Sequence, residues 1–380
     1  RNVLASYPQI DVLEWITPEG GGENRNLTAS DANQLALALF GETALKDGEL
    51  RHLNGEPPVA LYGTLHNLKK AVQLYQKRDE IFSGLQEKPI QIGLYVTCRD
   101  TLKIVKTVMD RVLPPEVGYT FLPAHGATAV ACNVEYMQFQ PEDFQKTMHY
   151  SWIEFDGNMY LQQNGCPGLE QLTGLTQRIV GTESIHGICL NHWRTAENDI
   201  AIAYAAKALR TKISAEEYYG EYAARCGIGY MEGFTKAMKR LGELDVFNRN
   251  RLFNIGFCYL GCWLNAPGLG WIRGWKNEDI EQAIQEFAKI QSDLERCLGE
   301  TTAMSGNRFL RLMKNRMTCS IAHLRAIRTL KEICAFTDDG APERLTTEQK
   351  TLVSQLCDRA MDDCRAYVDL HMEQIWDRGC

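Results

Sequence analysis

The sequence lacks an apolar run of about 18 residues, a Cys-x-x-Cys, a His-Glu-x-x-His, an internal repeat and any low-complexity segment. Without such a run there is no candidate membrane-spanning helix, so no membrane partner is expected. Zinc ligands come at characteristic Cys/His spacings, and their absence leaves a structural or catalytic zinc without support. No metal and no cofactor is expected. Positive charge is also short, since 41 Lys and Arg stand against 48 Asp and Glu and leave a net charge of -7. That is the wrong sign for neutralising phosphate backbones, so nucleic acid is not an expected partner. Residues Arg1 to Pro8 carry no apolar signal-peptide run, and the chain starts without Met. Reduced cysteines favour a cytoplasmic location, and a removed upstream signal would allow a periplasmic or secreted one.

What is present is globular in composition. The 380 residues are 44% hydrophobic and 23% charged, enough to bury a core and long enough for two domains. Thirteen cysteines is a high count, and an odd one. Cys258 and Cys262 sit at helical i,i+4 spacing, and Cys319, Cys334, Cys357 and Cys364 fall on amphipathic stretches. There reduced cysteine behaves as a small hydrophobe, so most are expected reduced and buried. The many Met and Leu residues of the C-terminal helices are expected in the core for the same reason.

The hydrophobic period changes near residue 197. Before it, five short apolar runs read as buried strands: Ile10 to Ile16, Ile90 to Thr97, Tyr119 to Pro123, Ser151 to Phe155 and Ile185 to Trp193. Helical patterns lie between them, including Leu65 to Phe82, Thr101 to Val112 and Leu169 to Val180. Alternating strands and helices imply parallel pairing. After residue 197 everything reads at period 3.6, with helices over Asp199 to Arg210, Ala215 to Cys226, Glu232 to Gly242, Asn248 to Asn265, Glu278 to Leu298, Asn307 to Phe336 and Thr347 to Trp376. Ser214 and Glu217 form an S-x-x-E capping signature for the second of these. The expected architecture is α/β: a partial (β/α)8 TIM-like barrel of about five βα units over residues 1–197, then an α-helical domain over 198–380. In that reading the five strands are strands four to eight, and an upstream segment or partner chain completes the barrel.

Three segments carry the chemistry. The first strand runs into Pro18, Glu19 and three glycines, which places Glu14 and Glu19 at its mouth. Glycosidic cleavage needs an acid for the leaving oxygen and a carboxylate opposite it. In the fourth strand, period two puts Trp152, Glu154 and Asp156 on one face. The fifth ends in Asn191, His192, Trp193 and Arg194, which together offer hydrogen-bond donors, a stacking surface and a fixed cation for sugar hydroxyls or a carboxylate. Tyr95, Arg99 and His125 end the second and third strands as supporting binding candidates. Trp271 lies in a glycine-rich loop of the helical half and is a candidate sugar platform.

This arrangement resembles the C-terminal portion of a (β/α)8-barrel glycoside hydrolase, of the broad group that includes α-glucuronidases and hexosaminidases. The resemblance implies a catalytic acid at Glu14 or Glu19 and a nucleophile at Glu154 or Asp156. The expected function is a carbohydrate-active hydrolase acting on an oligosaccharide or glycoside. Two others are weighed beside it: a non-catalytic carbohydrate-binding or assembly protein on the same scaffold, and a metal-dependent hydrolase or isomerase using His125, His192 and Asp156.

Overall fold

The computed structural model describes residues 2–16, 72–96, 113–114, 117–123, 149–154, 169–180, 185–191, 195–252, 255, 272–336 and 344–373, with isolated residues 34, 37, 38, 41 and 69. Contacts divide the chain into two compact units. One holds Arg1–His125, Cys132–Glu154 and Arg178–Asn191, and the other holds Gly126–Ala131, Phe155–Gln177 and His192–Cys380. Where the sequence suggests one boundary near residue 197, the segment Phe155–Gln177 joins the second unit.

The first unit holds α1 (Asn2–Ser6), β1 (Leu13–Ile16), α2 (Arg78–Phe82), β2 (Ile90–Val96), β3 (Gly118–Pro123), β4 (His149–Glu154) and β5 (Ile185–Asn191). Its strands are short and rich in β-branched and aromatic residues, as a buried parallel sheet requires. Ile90, Gln91 and Ile92 are all buried, and Ile92 is fully enclosed. The strands pair in parallel in the order β1-β2-β3-β4-β5. One register shift, at His149 and Tyr150, interrupts the β4 and β5 pairing.

The expected (β/α)8 barrel is overturned. Among the described residues the strands form an open five-stranded parallel sheet, with few helices described between them. Helix, not strand, dominates the described chain.

The second unit contains α3 (Leu169–Val180, as far as residue 177), α4 (Thr195–Ala208), α5 (Ala215–Cys226), α6 (Met231–Arg251), α7 (Asn277–Glu300), α8 (Met304–Cys334) and α9 (Thr347–Glu373). The start of α5 follows its sequence signature. Ser214 Oγ accepts from the Glu217 amide at 3.2 Å, and the Glu217 carboxylate accepts from the Ser214 amide at 2.9 Å. These bonds hold the Glu217 carboxyl below its ordinary range. The helix ends at Gly227 with φ +68, where a Cβ would stand 2.5 Å from the Ala303 Cβ.

Tyr222 of α5, Phe234 of α6 and Phe309 of α8 form an aromatic cluster at ring separations of 5.3 to 6.3 Å. Each edge-to-face or offset pair contributes about 1 kcal/mol beyond the area it buries. On α6, Arg240 reaches Asp293 of α7 at 2.8 Å and Glu286 at 3.6 Å. A break was expected between Gly242 and Asn248, yet α6 runs through it. Leu241, Leu244 and Asn248 are buried at helical spacing, so tertiary packing offsets the weak propensity of Gly242.

Candidate functional site

Five of the expected site residues fall among the described ones. Glu14 is exposed on β1, and Tyr95, Trp152, Glu154 and Asn191 have described backbones in β2, β4 and β5. Glu19, Arg99, His125, Asp156, His192, Trp193, Arg194 and Trp271 lie outside the described residues. Strand register decides one pairing. Glu14 is level with Gln91, Gln91 with Gly118, and Tyr119 with His149, which puts Glu14 opposite position 148, six positions short of Glu154. At ~3.3 Å per residue and ~4.8 Å per strand, the two backbones are about 20 Å apart along the strands and about 14 Å apart across them. A two-carboxylate mechanism needs a gap of about 5–10 Å, so Glu14 and Glu154 do not form one. The register does bring Glu154 level with Asn191, at the C-terminal ends of β4 and β5.

The strongest surface feature lies instead in the helical unit. Helix α8 is its central element, with 18 of its 31 residues buried. Helix α9 packs along it in antiparallel fashion. Near one end, Asn315 of α8 donates to the Leu370 carbonyl at 2.8 Å; midway, the His323 ring lies 6.0 Å from that of Tyr367; toward the other end, Arg359 pairs with Glu332. The face of α9 turned to α8 is a heptad seam of Val353, Leu356, Ala360, Tyr367 and Leu370, all buried or half-buried.

Helix α9 carries a second seam. Cys357, Met361, Cys364 and Val368 follow one another at spacings of four, three and four, the signature of a coiled-coil face, and Met372 extends it. At 100° per residue this stripe is centred about 110° around the helix from the first. It is open to solvent: Met361 is 52%, Val368 54% and Met372 62% exposed. Cys357 is exposed and Cys364 half-buried. The expectation that C-terminal Met residues and cysteines are core therefore fails at these positions and at Met304, which is 85% exposed. The signal was legible in the sequence as two interleaved heptads where one suffices for a two-helix contact.

Charges border the outer stripe. Asp358 and Arg365, each one residue beyond a cysteine, occupy the positions beside it, and Arg365 also reaches Asp362 at 3.1 Å on the exposed surface. The Cys364 thiol is pushed up, by burial first and then by Asp363. Burial likewise raises Asp363, against the pull of Arg325, Arg328 and Arg359.

Other hollows in this unit are shallow. A cleft of about 640 Å³ between α5 and α6 is lined by Glu216, Lys236, Lys239, Arg240 and Glu243, of which Lys239 pairs with Glu216 at 2.6 Å and Arg240 with Asp293 at 2.8 Å. A groove of about 520 Å³ where α7, α8 and α9 meet is lined by Arg273, Lys331, Phe336, Leu352 and Leu356. Lys331 there donates to the Arg273 carbonyl at 2.7 Å, tying the last turn of α8 to the helical residues 272–274 that precede α7. Among the described residues no group of three or more His, Cys, Asp or Glu is placed to hold a metal ion, and no helix is long and apolar enough to cross a membrane. No family model matches the chain, and no curated protein or solved structure is detectably similar to it.

Proposed function

We propose that the chain is an assembly protein whose helical unit engages an apolar helix of another subunit through the outer seam of α9. One observation carries this reading: of four successive coiled-coil positions from Cys357 to Val368, three stay exposed and the fourth, Cys364, is half-buried, on a helix whose inner face is already packed. Single exposed hydrophobes are ordinary on protein surfaces; a heptad row of them is a docking face awaiting its knobs. Covering each of Met361, Val368 and Met372 contributes about 1–2 kcal/mol.

Thiol footprinting tests it. Cys357 and Cys364 lie in the seam, and Cys226, half-buried elsewhere in the unit, serves as the reference thiol. In cells that make the protein, alkylation at Cys357 relative to Cys226 is expected to be several-fold slower than in dilute purified protein. Equal ratios in the two settings overturn the reading.

A further inference from the structure

The seam's own charge pattern identifies its partner. We infer that the outer seam of α9 pairs with the same seam of a second copy, antiparallel, about a two-fold axis near residue 362; this rests on the assembly reading above and names its partner. In an antiparallel pair the apolar layers alternate the two seam positions, so Met361 meets Cys364 of the other copy and Cys357 meets its Val368. Each contact then occurs twice, as an isologous interface requires.

The flanking residues decide orientation. On the side of the seam away from α8, the bordering positions are Asp358 and Arg365, and in an antiparallel pair this flank faces its own counterpart. Asp358 of each copy therefore lies against Arg365 of the other, giving two opposite-charge pairs. A parallel pair sets this flank against the opposite one, which holds Ala360 and Tyr367, and forms neither. The opposite flank is occupied by α8, so two copies build a four-helix layer in the order α8, α9, α9, α8. The shared stripe from Cys357 to Val368 runs roughly 16 Å at 1.5 Å per residue. That is long enough for four apolar layers and short enough that the flanking charges matter to the outcome.

Sedimentation of the full chain over a wide concentration range tests this, with circular dichroism to show that each variant keeps its helices. The wild type is expected to pass from monomer to dimer. Met361→Glu and Val368→Glu, both at exposed positions, are expected to raise the dimer dissociation constant by more than about tenfold. Asp358→Arg and Arg365→Asp each turn two attractive pairs repulsive and are expected to weaken the dimer roughly three- to tenfold. The double exchange restores the complementarity and is expected to return within about threefold of the wild type. A wild type that stays monomeric throughout overturns the inference, as does a double exchange no tighter than the single ones. If the chain is monomeric while Cys357 is still protected in cells, the assembly reading stands and the second copy does not. If the thiol is also unprotected, both fail.

Discussion

Acidification should unlock the helical unit through one residue. His323, on α8, is fully buried with a ring nitrogen 3.0 Å from the Ile255 carbonyl, and the Tyr367 ring stands 6.0 Å away. The carbonyl can only accept, so that nitrogen carries a proton. Loss of solvation lowers the imidazole to about 4, the carbonyl opposing the shift only in part. In the unfolded chain it titrates at about 6.5. Between these values the unfolded state holds a proton that the folded state does not, so stability is full above pH 6.5 and is lost as pH falls toward 4. The slope is about 1.4 kcal/mol per pH unit, which makes the loss about 2 kcal/mol by pH 5 and about 3 kcal/mol by pH 4. Urea unfolding followed by circular dichroism at pH 7, 6 and 5 measures it, beside His323→Gln, which keeps a donor for Ile255 but cannot titrate. The variant should start lower at pH 7 and fall less steeply by about 1.4 kcal/mol per unit below pH 6.5. Parallel slopes would refute the argument, and so would a His323 resonance that shows protonation above pH 5.

Phe234→Ala removes the ring shared by Tyr222 and Phe309 and should cost about 3–5 kcal/mol in the same unfolding assay. Gly227→Ala forces a side chain into the left-handed region and against Ala303, so the melting temperature should fall with a loss of at least about 1 kcal/mol; an unchanged melt would mean the α7 to α8 turn gives way freely. The Cys297 thiol is buried and pushed up to about 11, so it should remain unalkylated at pH 8 while Cys357 is consumed, as mass spectrometry of the labelled peptides will show.

The helical unit was legible wherever local chemistry and packing agree. Ser214, Glu217 and Gly227 bracket α5 at both ends, and the observed helix stops where they place it. Local pattern alone leaves a break in α6 after Gly242, whereas Leu244 and Asp245 are buried and keep the helix whole. The barrel went wrong at a different level. Runs such as Ile90 to Val96 state that a strand is buried, but closure depends on stagger and on the pairing of end strands, which no single run encodes. The same gap explains Glu14 and Glu154: each stands on a strand, and only the register across β2 and β3 shows that they lie at different heights. The outer seam of α9 was present in the spacing of Cys357, Met361, Cys364 and Val368, and was missed because amphipathic cysteine and methionine read as core until a second stripe is counted on the same helix.

Asn315 has a further effect at the far end of α9. Leu370 lies in the last described turn of α9, which runs to Glu373. The amide of Asn315 takes the Leu370 carbonyl from the neighbouring helix, while its oxygen receives the Cys319 thiol at 3.6 Å. The final turn is thus stapled from outside, and fraying it means breaking a bond held by the core. Opening this turn therefore also costs that hydrogen bond, about 1 kcal/mol. Val368 and Met372 are consequently displayed on a stiff rod, and whatever settles on them loses little entropy to ordering the surface it meets.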